Sequence, residues 1–372
     1  MEADVVVIGA GLVGSAVTRH LAENGADVLC VGAPNGGPPY SSHDDDARIT
    51  RVLDGSHVWA ELARRSIDRY PDLERRSGIS FHHPVGVLWV ASEASELNEM
   101  QPVGRRLGVD TVESPDTPWS ADLALPETDV ELLERGGAGF VDPRAMRAAQ
   151  LALAERAGAR RIEGTVVGFE RAARGWAVRT EDGATLPAGR LVVATGAAMG
   201  FLTGLDVVAT AEAVVLADVP EEIGEAWAGR PCVGRLADGV VDFYLTPPRL
   251  VNGRWLMKVG SESATDTALG SPAEVNAWMS GEGLETRRQS FESMLSRIFP
   301  NLPIVEAVVR PCRYARTSRR RPLIAELEDG LVVAGGGNGR AAKSSDALGA
   351  VAARRVVSGE WDDALPESEF RG

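Results

Sequence analysis

Hydrophobic residues at the start of the chain follow the order strand, helix, strand. Residues 5–8 are a continuous apolar run, which is typical of a buried parallel strand. A glycine-bearing turn occupies residues 9–14, and apolar residues then recur at helical spacing as far as Gly25. Residues 27–31 predict a second strand. The segment therefore predicts a βαβ unit of the kind that binds dinucleotides.

Later apolar runs return the chain to the same sheet after two excursions. Residues 191–194 and 331–334 are short buried strands that end at glycine. Residues 41–51 have the pattern of a polar loop, and residues 93–135 are acidic and proline-bearing without strong periodicity. Further strands are predicted at 86–90, 164–169, 177–180, 213–218, 240–245 and 254–260. Helices are predicted at 58–70, 142–157, 284–298 and 344–357.

The order of these elements predicts a mixed α/β (α+β) fold. It combines a discontinuous Rossmann-like dinucleotide-binding domain with an inserted substrate domain built on a mostly antiparallel sheet. The first domain is assigned residues 1–80, 138–205 and 306–372. The substrate or catalytic domain is assigned residues 81–137 and 206–305.

The glycine turn carries the chemistry of the βαβ unit. Glycines let the backbone approach a pyrophosphate, which lies at the helix N-terminus. An acidic residue about twenty positions further on normally binds the ribose hydroxyls, but here the second strand ends at Gly32. The ribose contact therefore stays unassigned. The cofactor contacts predicted at the turn are Gly9, Gly11, Leu12, Val13 and Gly14.

Composition narrows the class of protein. The 372 residues are 44% hydrophobic and 25% charged, as in an ordinary globular protein. A net charge of −14 argues against nucleic acid as a partner. No apolar run reaches the ~18 residues of a transmembrane helix, and no signal peptide pattern is present, so we expect a cytoplasmic protein that does not bind membranes. The three cysteines are far apart and predict neither a disulfide framework nor a metal site.

Lysine is almost absent from the chain. Of 39 basic residues only Lys258 and Lys343 are lysine, and the other 37 are arginine. A GC-rich codon bias would explain why arginine generally replaces lysine, but it does not explain why lysine remains at these two positions. A lysine ammonium is a compact point charge whose pKa shifts readily. Both positions are therefore candidates for a specific chemical role.

Three later segments carry more diagnostic motifs. They are Ser42 and His43 with Arg48 and Arg51, the strand around Lys258, and the C-terminal segments 310–314, 321–324 and 337–343. These segments, the glycine turn and the strand end at 194–196 resemble motifs of the D-amino acid oxidase-like flavoproteins. The motifs occur in the same order as in that group and cover nearly the whole chain. Within that group the sequence is similar to the monomeric sarcosine oxidase and N-methyltryptophan oxidase family.

The resemblance implies FAD as the cofactor and assigns roles to five residues. Arg48 faces the isoalloxazine ring, and Arg51 and Lys343 bind the substrate carboxylate. Lys258 contacts flavin N5 through water and promotes reaction with O2, because a fixed cation stabilises the developing negative charge. Cys312 carries the flavin through an 8α-S-cysteinyl bond. Further implied cofactor contacts are Ser42, His43, Val167, Thr195, Gly196, Gly337, Asn338, Gly339 and Arg340, besides Arg48 and Lys343.

The chain departs from the sarcosine-oxidising members at the amine end of the pocket. Ser261 and Glu262 stand where those members have an aromatic residue and a histidine, and Arg340, Ala341 and Ala342 replace His-Gly-Phe. All five histidines lie in the first quarter of the chain, which excludes a histidine base from the second domain. We therefore expect a roomier and differently charged pocket. Its predicted lining is Tyr244, Glu262, Arg340 and Ala342, with Glu262 a candidate partner of the substrate amine.

The implied reaction is oxidation of the C–N bond of a secondary or cyclic amino acid to an imine, with O2 reduced to H2O2. The expected partners are an amino-acid substrate and O2, and the expected assembly is a monomer. Arg51 and Lys343 would repel each other in an empty pocket of low dielectric constant, so a bound anion should stabilise them. Two alternatives stay open: a flavin-dependent hydroxylase, halogenase or tailoring oxidoreductase, and an FAD-binding subunit without turnover.

Overall fold

The computed structural model describes residues 3–33, 40–44, 46–262, 267–362 and 364–372. Within them the strands, numbered β1 to β20 in chain order, are Ala3–Ile8, Val28–Gly32, Arg48–Thr50, His82–His83, Val87–Ala91, Thr111–Glu113, Val130–Glu134, Gly139–Val141, Arg160–Glu163, Val166–Arg171, Trp176–Thr180, Thr185–Val193, Val207–Val219, Cys232–Ala237, Val240–Val251, Arg254–Gly260, Thr267–Leu269, Glu306–Thr317, Leu323–Glu328 and Leu331–Gly335. The helices, numbered α1 to α10, are Leu12–Glu23, His57–Ser77, Ala94–Leu97, Gln101–Arg106, Pro143–Arg156, Met199–Thr203, Glu221–Trp227, Pro272–Met279, Glu285–Ile298 and Ala341–Ser358.

The first sheet is built around parallel strands. Its order is β10-β11-β12-β1-β2-β9, with β20 beside β12 and β19 beside β20. Strands β9, β2, β1, β12 and β20 are mutually parallel, whereas β10, β11 and β19 join antiparallel. Helices α1 and α10 pack against β1 and β20 on one face, where Val5 and Val7 meet Leu21 and Leu348. Burial on both faces explains the continuous apolar run at residues 5–8.

The second sheet is largely antiparallel. Its order is β17-β13-β16-β15-β14-β5-β7-β6, with β18 paired to β13. One pair in this sheet, β14 with β5, is parallel. A small third sheet, β3-β8-β4, joins residues 48–50 to the rest of the molecule. The predicted fold class is confirmed.

Strand β18 belongs to the second sheet. It pairs with β13 from Val207 opposite Thr317 to Asp218 opposite Glu306. The sequence assigned residues 306–317 to the dinucleotide-binding domain, and the strand pairing corrects that boundary. The rest of the domain division stays a prediction.

Two predicted elements differ from the structure for clear reasons. Helix α2 continues through Pro71 to Ser77, because Leu73 is buried in the same cluster as Tyr70 and this packing outweighs the proline. The predicted polar loop at residues 41–51 contains the strand β3, whose pairing with β8 no local pattern reveals. The described helices include none that is long and apolar enough to cross a bilayer.

Candidate active site

A large cavity lies between the carboxyl ends of the parallel strands and the second sheet. Its volume is about 1090 Å³, at the upper end of the ~300–1,000 Å³ that is usual for ligand pockets. The carboxyl ends of parallel strands are where nucleotides bind in open α/β sheets. Every residue that the sequence singled out lines this cavity, with the exception of Gly14.

The glycine turn after β1 forms one end of the cavity. Gly9 has φ of +106°, and a Cβ there would lie 2.5 Å from the carbonyl oxygen of Ala194. A Cβ on Gly14 would lie 1.7 Å from the carbonyl oxygen of Gly9, so this glycine allows α1 to pack on β1. Gly14 does not line the cavity, and its cofactor contact stays a prediction. Helix α1 has no side-chain cap at its N-terminus, and its first residues, Leu12 and Val13, line the cavity. This helix end can therefore receive an anionic group.

The absence of a ribose-binding acid follows from packing at Gly32. A Cβ at Gly32 would lie 2.4 Å from the Cβ of Ala10 and 2.7 Å from its nitrogen. These distances leave no room for any side chain at the end of β2. The tight approach of the glycine turn to β2 thus excludes the usual carboxylate.

Three buried polar atoms of the cavity wall lack a hydrogen-bond partner among the described residues. They are Nε1 of Trp89, Oγ1 of Thr195 and Nε of Arg313. Arg313 is 5% exposed, donates to the carbonyl of Tyr40, and has its pKa lowered to about 10 by burial. Burial of a guanidinium without an acidic partner is costly, and an anion bound beside it would lower that cost. The pyrophosphate of a dinucleotide such as FAD would supply such an anion, and the uncapped N-terminus of α1 can receive the same kind of group.

Cys312 and Arg48 meet at the middle of the cavity. Cys312 lies on β18 opposite Glu212 and is buried. Arg48 comes from β3, and its NH2 lies 3.2 Å from the Cys312 Sγ while donating to the carbonyl of Ser42 at 2.8 Å. The contact places a fixed positive charge beside the sulfur.

Lys258 is held in the wall formed by the second sheet. It lies on β16 between Leu216 of β13 and Thr246 of β15, and it is 2% exposed. Its Nζ donates to the carbonyl of Ala47 at 2.7 Å. Since Ala47 directly precedes Arg48, this bond ties the lysine to the segment that carries the arginine.

Arg51 lies against an aromatic ring and an acid. Its guanidinium carbon is 4.7 Å from the ring centroid of Trp89, a cation–π contact. Its NH1 donates to the carbonyl of Leu53 and to Oδ2 of Asp54, the latter at 3.2 Å. The guanidinium is thereby fixed at the cavity wall.

Asp54 joins three cations. Its Oδ2 also accepts from Nε of Arg340 at 2.9 Å and from Nζ of Lys343 at 3.1 Å, and its Oδ1 accepts the N–H of Ser56. Burial alone would raise the pKa of Asp54, but Lys343, Arg51 and Arg340 hold it well below its usual range. The sequence predicted two mutually repelling cations that await an external anion. The structure instead contains a third cation and an internal anion.

Burial also strongly affects the pKa of Lys343 and that of the nearby Glu134. Lys343 lies in the first turn of α10 and is 3% exposed; burial and then the charge of Arg51 lower its pKa to about 7, against the opposing effect of Asp54. Glu134 is fully buried behind the cluster and accepts the N–H of Val52 at 2.5 Å. Burial raises the pKa of Glu134.

Several residues predicted to contact the cofactor have side chains that are hydrogen-bonded within the protein, buried in a neutral state or exposed to solvent. His43 lies beside Gly11, and burial followed by the charge of Arg147 lowers its pKa to about 4, so it is neutral at pH 7. The Asn338 side chain donates to the carbonyls of Gly336 and Arg321, its N–H donates to the carbonyl of Ala315, and its own carbonyl accepts from NH1 of Arg340. The remaining predicted lining residues are Ser42, Val167, Gly196, Gly337 and Gly339, of which Val167 is exposed on β10.

The predicted amine end of the pocket lies on β15, β16 and α10. Tyr244 of β15 pairs with Gly260 of β16. A Cβ on Gly260 would lie 2.3 Å from the ring of Tyr244, so the absence of a side chain at Gly260 allows the ring to lie on the sheet. Glu262 is exposed at the edge of the cavity, and its N–H donates to the carbonyl of Val241. Ala342 is half-buried in the first turn of α10.

Sequence reasoning missed Asp54, Glu134, Trp89 and Arg313. Asp54 precedes glycine and serine, a pattern typical of an exposed turn. Glu134 is the last residue of a short strand in a stretch without periodicity. Only Arg313 had a local signal, since it adjoins Cys312 in a recognised motif. The other three are recognisable only by what the fold packs against them.

A family model described as FAD dependent oxidoreductase matches residues 4–355 of the chain. Among curated proteins, monomeric sarcosine oxidase of Streptomyces avermitilis is 33% identical over 227 residues. That match covers 57% of this chain and 57% of the relative, so the chain spans little more than half the length of the relative it matches.

Solved structures share the fold over nearly the whole chain. NikD, described as an unusual amino acid oxidase essential for nikkomycin biosynthesis, is 21% identical with a TM-score of 0.77, over 100% of this chain and 97% of that one. Iminodiacetate oxidase from Chelativorans is 19% identical with a TM-score of 0.74, over 99% and 98%. Glycine oxidase from Bacillus cereus is 18% identical with a TM-score of 0.71, over 100% and 98%. At these identities the likeness establishes the fold alone.

Proposed function

The chain belongs to the family of FAD-dependent oxidoreductases, and from this premise we propose that it is an amino-acid oxidase. Its substrate is a secondary or cyclic amino acid, whose C–N bond is oxidised to an imine while O2 becomes H2O2. The observation that carries the proposal is the convergence of Arg51 and Lys343 in one cavity with Lys258. An FAD-binding subunit without turnover has no use for three fixed cations in its ligand cavity.

FAD fits the cavity at both of its ends. The N-terminus of α1 and the guanidinium of Arg313 would hold the pyrophosphate, and Arg48, Lys258 and Cys312 would hold the ring. The N-terminus of α10 and the turn at residues 337–340 that precedes it also line the cavity. When bound, FAD supplies the two-electron redox chemistry that amino-acid side chains lack.

The residues of the chain bind and orient the substrate. Arg51 and Lys343 hold the carboxylate, which fixes the adjacent C–H and C–N bonds, since the planar guanidinium matches a carboxylate in two-point contact. The amine must lose its proton to react, and Glu262 is the proposed polar partner at that end. Lys258 keeps a positive charge at the place where O2 gains electrons. The two hydrogens lost from carbon and nitrogen leave as those of H2O2.

A peroxide assay with a substrate panel tests the proposed activity. Purified protein is mixed with sarcosine, other N-methyl amino acids, proline and pipecolate, and H2O2 is measured against a denatured control. The proposal expects turnover of at least one of these amines. Flavin reduction without peroxide would indicate a dehydrogenase, and a hydroxylase would consume NAD(P)H instead.

We further propose that the flavin is covalently attached through the sulfur of Cys312. The sulfur lies at the cavity wall beside Arg48, in a segment that resembles the attachment site of the sarcosine oxidase family. Wild-type protein precipitated with acid should therefore stay yellow, and the Cys312→Ala variant should release its flavin to the supernatant. Cys232→Ala is the matched control, because that cysteine is buried away from the cavity. A colourless wild-type pellet would refute the attachment and leave FAD binding standing.

Carboxylate binding should weaken as the pH rises through 7. Lys343 attracts a carboxylate only when protonated, and burial followed by the charge of Arg51 lowers the pKa of Lys343 in the free protein to about 7. The dissociation constant of an acetate-type ligand, measured from the flavin spectrum, should be flat at low pH and increase above pH ~7. The Lys343→Met variant should bind more weakly and lose this pH dependence. An unchanged profile in that variant would show that another group titrates.

A further inference from the structure

The carboxylate-binding end of the cavity contains more positive charge than one substrate carboxylate requires. Arg51, Arg340 and Lys343 all contact the same Asp54 oxygen, at 3.2, 2.9 and 3.1 Å. Glu134, behind them, is bonded to the main chain and contacts none of the three cations directly. One carboxylate in direct contact therefore serves three cations.

Arg340 is placed to bind a ligand as well as Asp54. It lies at the start of α10, where its Nε donates to Asp54 and its NH1 donates to the carbonyl of Asn338 at 3.3 Å. No partner of its NH2 exists among the described residues, and the side chain is 31% exposed at the cavity wall. Asp54 fixes the orientation of the guanidinium and leaves one edge for a further acceptor.

The surplus of charge affects the resting protein. Lys343 is shielded from water and surrounded by Arg51 and Arg340, so its ammonium loses its proton far more readily than usual. One monocarboxylate would leave this region positive, whereas two carboxylates would balance it.

We propose that the substrate is a dicarboxylic secondary amino acid whose second carboxylate binds to Arg340. The inference rests on the proposed function, in which Arg51 and Lys343 bind the first carboxylate. Arg51 and Arg340 share an oxygen of Asp54, so the two guanidinium groups are neighbours. Carboxylates separated by one or two carbons, or by the amine itself, match that arrangement. Asp54 acts as a positioning residue that keeps the two arginines side by side.

A pair of substrates that differ in one charge tests this inference. N-methyl-aspartate and N-methyl-asparagine have nearly the same shape, and only the first has a second carboxylate. Wild-type enzyme should favour N-methyl-aspartate by about tenfold or more in kcat/KM. Arg340→Met should reduce the ratio to near one, and Arg340→Lys should retain part of it. Arg105→Met, which removes a charge from an exposed helix, should leave the ratio unchanged.

A binding measurement that does not depend on turnover provides a second test of the role of Arg340. Succinate and succinamate are titrated into the oxidised holoenzyme, and their dissociation constants are read from the flavin spectrum. Succinate should bind about tenfold more tightly in the wild type, and this preference should disappear in Arg340→Met. Equal binding of the two ligands, or equal oxidation of the two amino acids, would overturn the inference while the oxidase proposal stands. Peroxide from none of the amines tested would count against the oxidase proposal, and the titration would still decide the role of Arg340.

Discussion

We expect replacement of Lys258 with methionine to slow the reaction of reduced flavin with O2 by about 10²- to 10³-fold. Loss of one preorganised charge beside developing negative charge typically costs ~3–4 kcal/mol. Lys258 meets that description, since it is 2% exposed and its Nζ is anchored on the carbonyl of Ala47. Stopped-flow reoxidation of the reduced enzyme measures this rate directly. Reduction by substrate, measured anaerobically, should change much less.

Two further variants separate the charge of Lys258 from its packing. Lys258→Arg keeps the charge and should recover part of the rate, whereas Arg105→Met removes a distant charge and should have no effect. An unchanged rate of reoxidation in Lys258→Met would mean that Lys258 does not promote the reaction with O2.

Removal of either cation that we propose to bind the substrate carboxylate should weaken substrate binding by at least ~30-fold, because truncating one partner of a buried charged contact costs roughly 2–5 kcal/mol. The variants are Arg51→Gln and Lys343→Met. Asp54 keeps two cationic partners in each, so the cluster should stay folded. Simple carboxylates should perturb the flavin spectrum of the wild type, and either variant should need at least ~30-fold more ligand for the same change. Unchanged spectral titrations in both variants would refute the assignment.

Local patterns predicted the parts of the fold that depend on local interactions. The strand at residues 5–8, the turn from Gly9 and the strand that ends at Ala194 were all foreseen, because burial on both faces and a glycine turn leave a direct trace in the sequence. The scarcity of lysine pointed to Lys258 and Lys343, and both are buried in the cavity wall. Burial of a lysine ammonium is costly, so a lysine retained at such a position indicates a specific role that arginine would not fill.

The charge balance of the site was not predictable, because it depends on contacts between distant parts of the chain. Asp54 meets Lys343 across 289 positions and Arg340 across 286. An Asp-Gly-Ser turn before a helix is normally exposed, so nothing local distinguished this carboxylate. The same reasoning applies to Gly32, where only the approach of Ala10 explains why an acid is excluded.

Anaerobic reduction of the flavin tests the central claim most directly. Oxidised enzyme is mixed without O2 with an N-methyl amino acid that supports peroxide formation, and separately with the amine that lacks its carboxylate. If Arg51 and Lys343 orient the substrate through its carboxylate, the amino acid should bleach the flavin with a kcat/KM at least ~30-fold above that of the amine. Equal rates for the two compounds would contradict the account, because the carboxylate would then contribute nothing to binding or orientation.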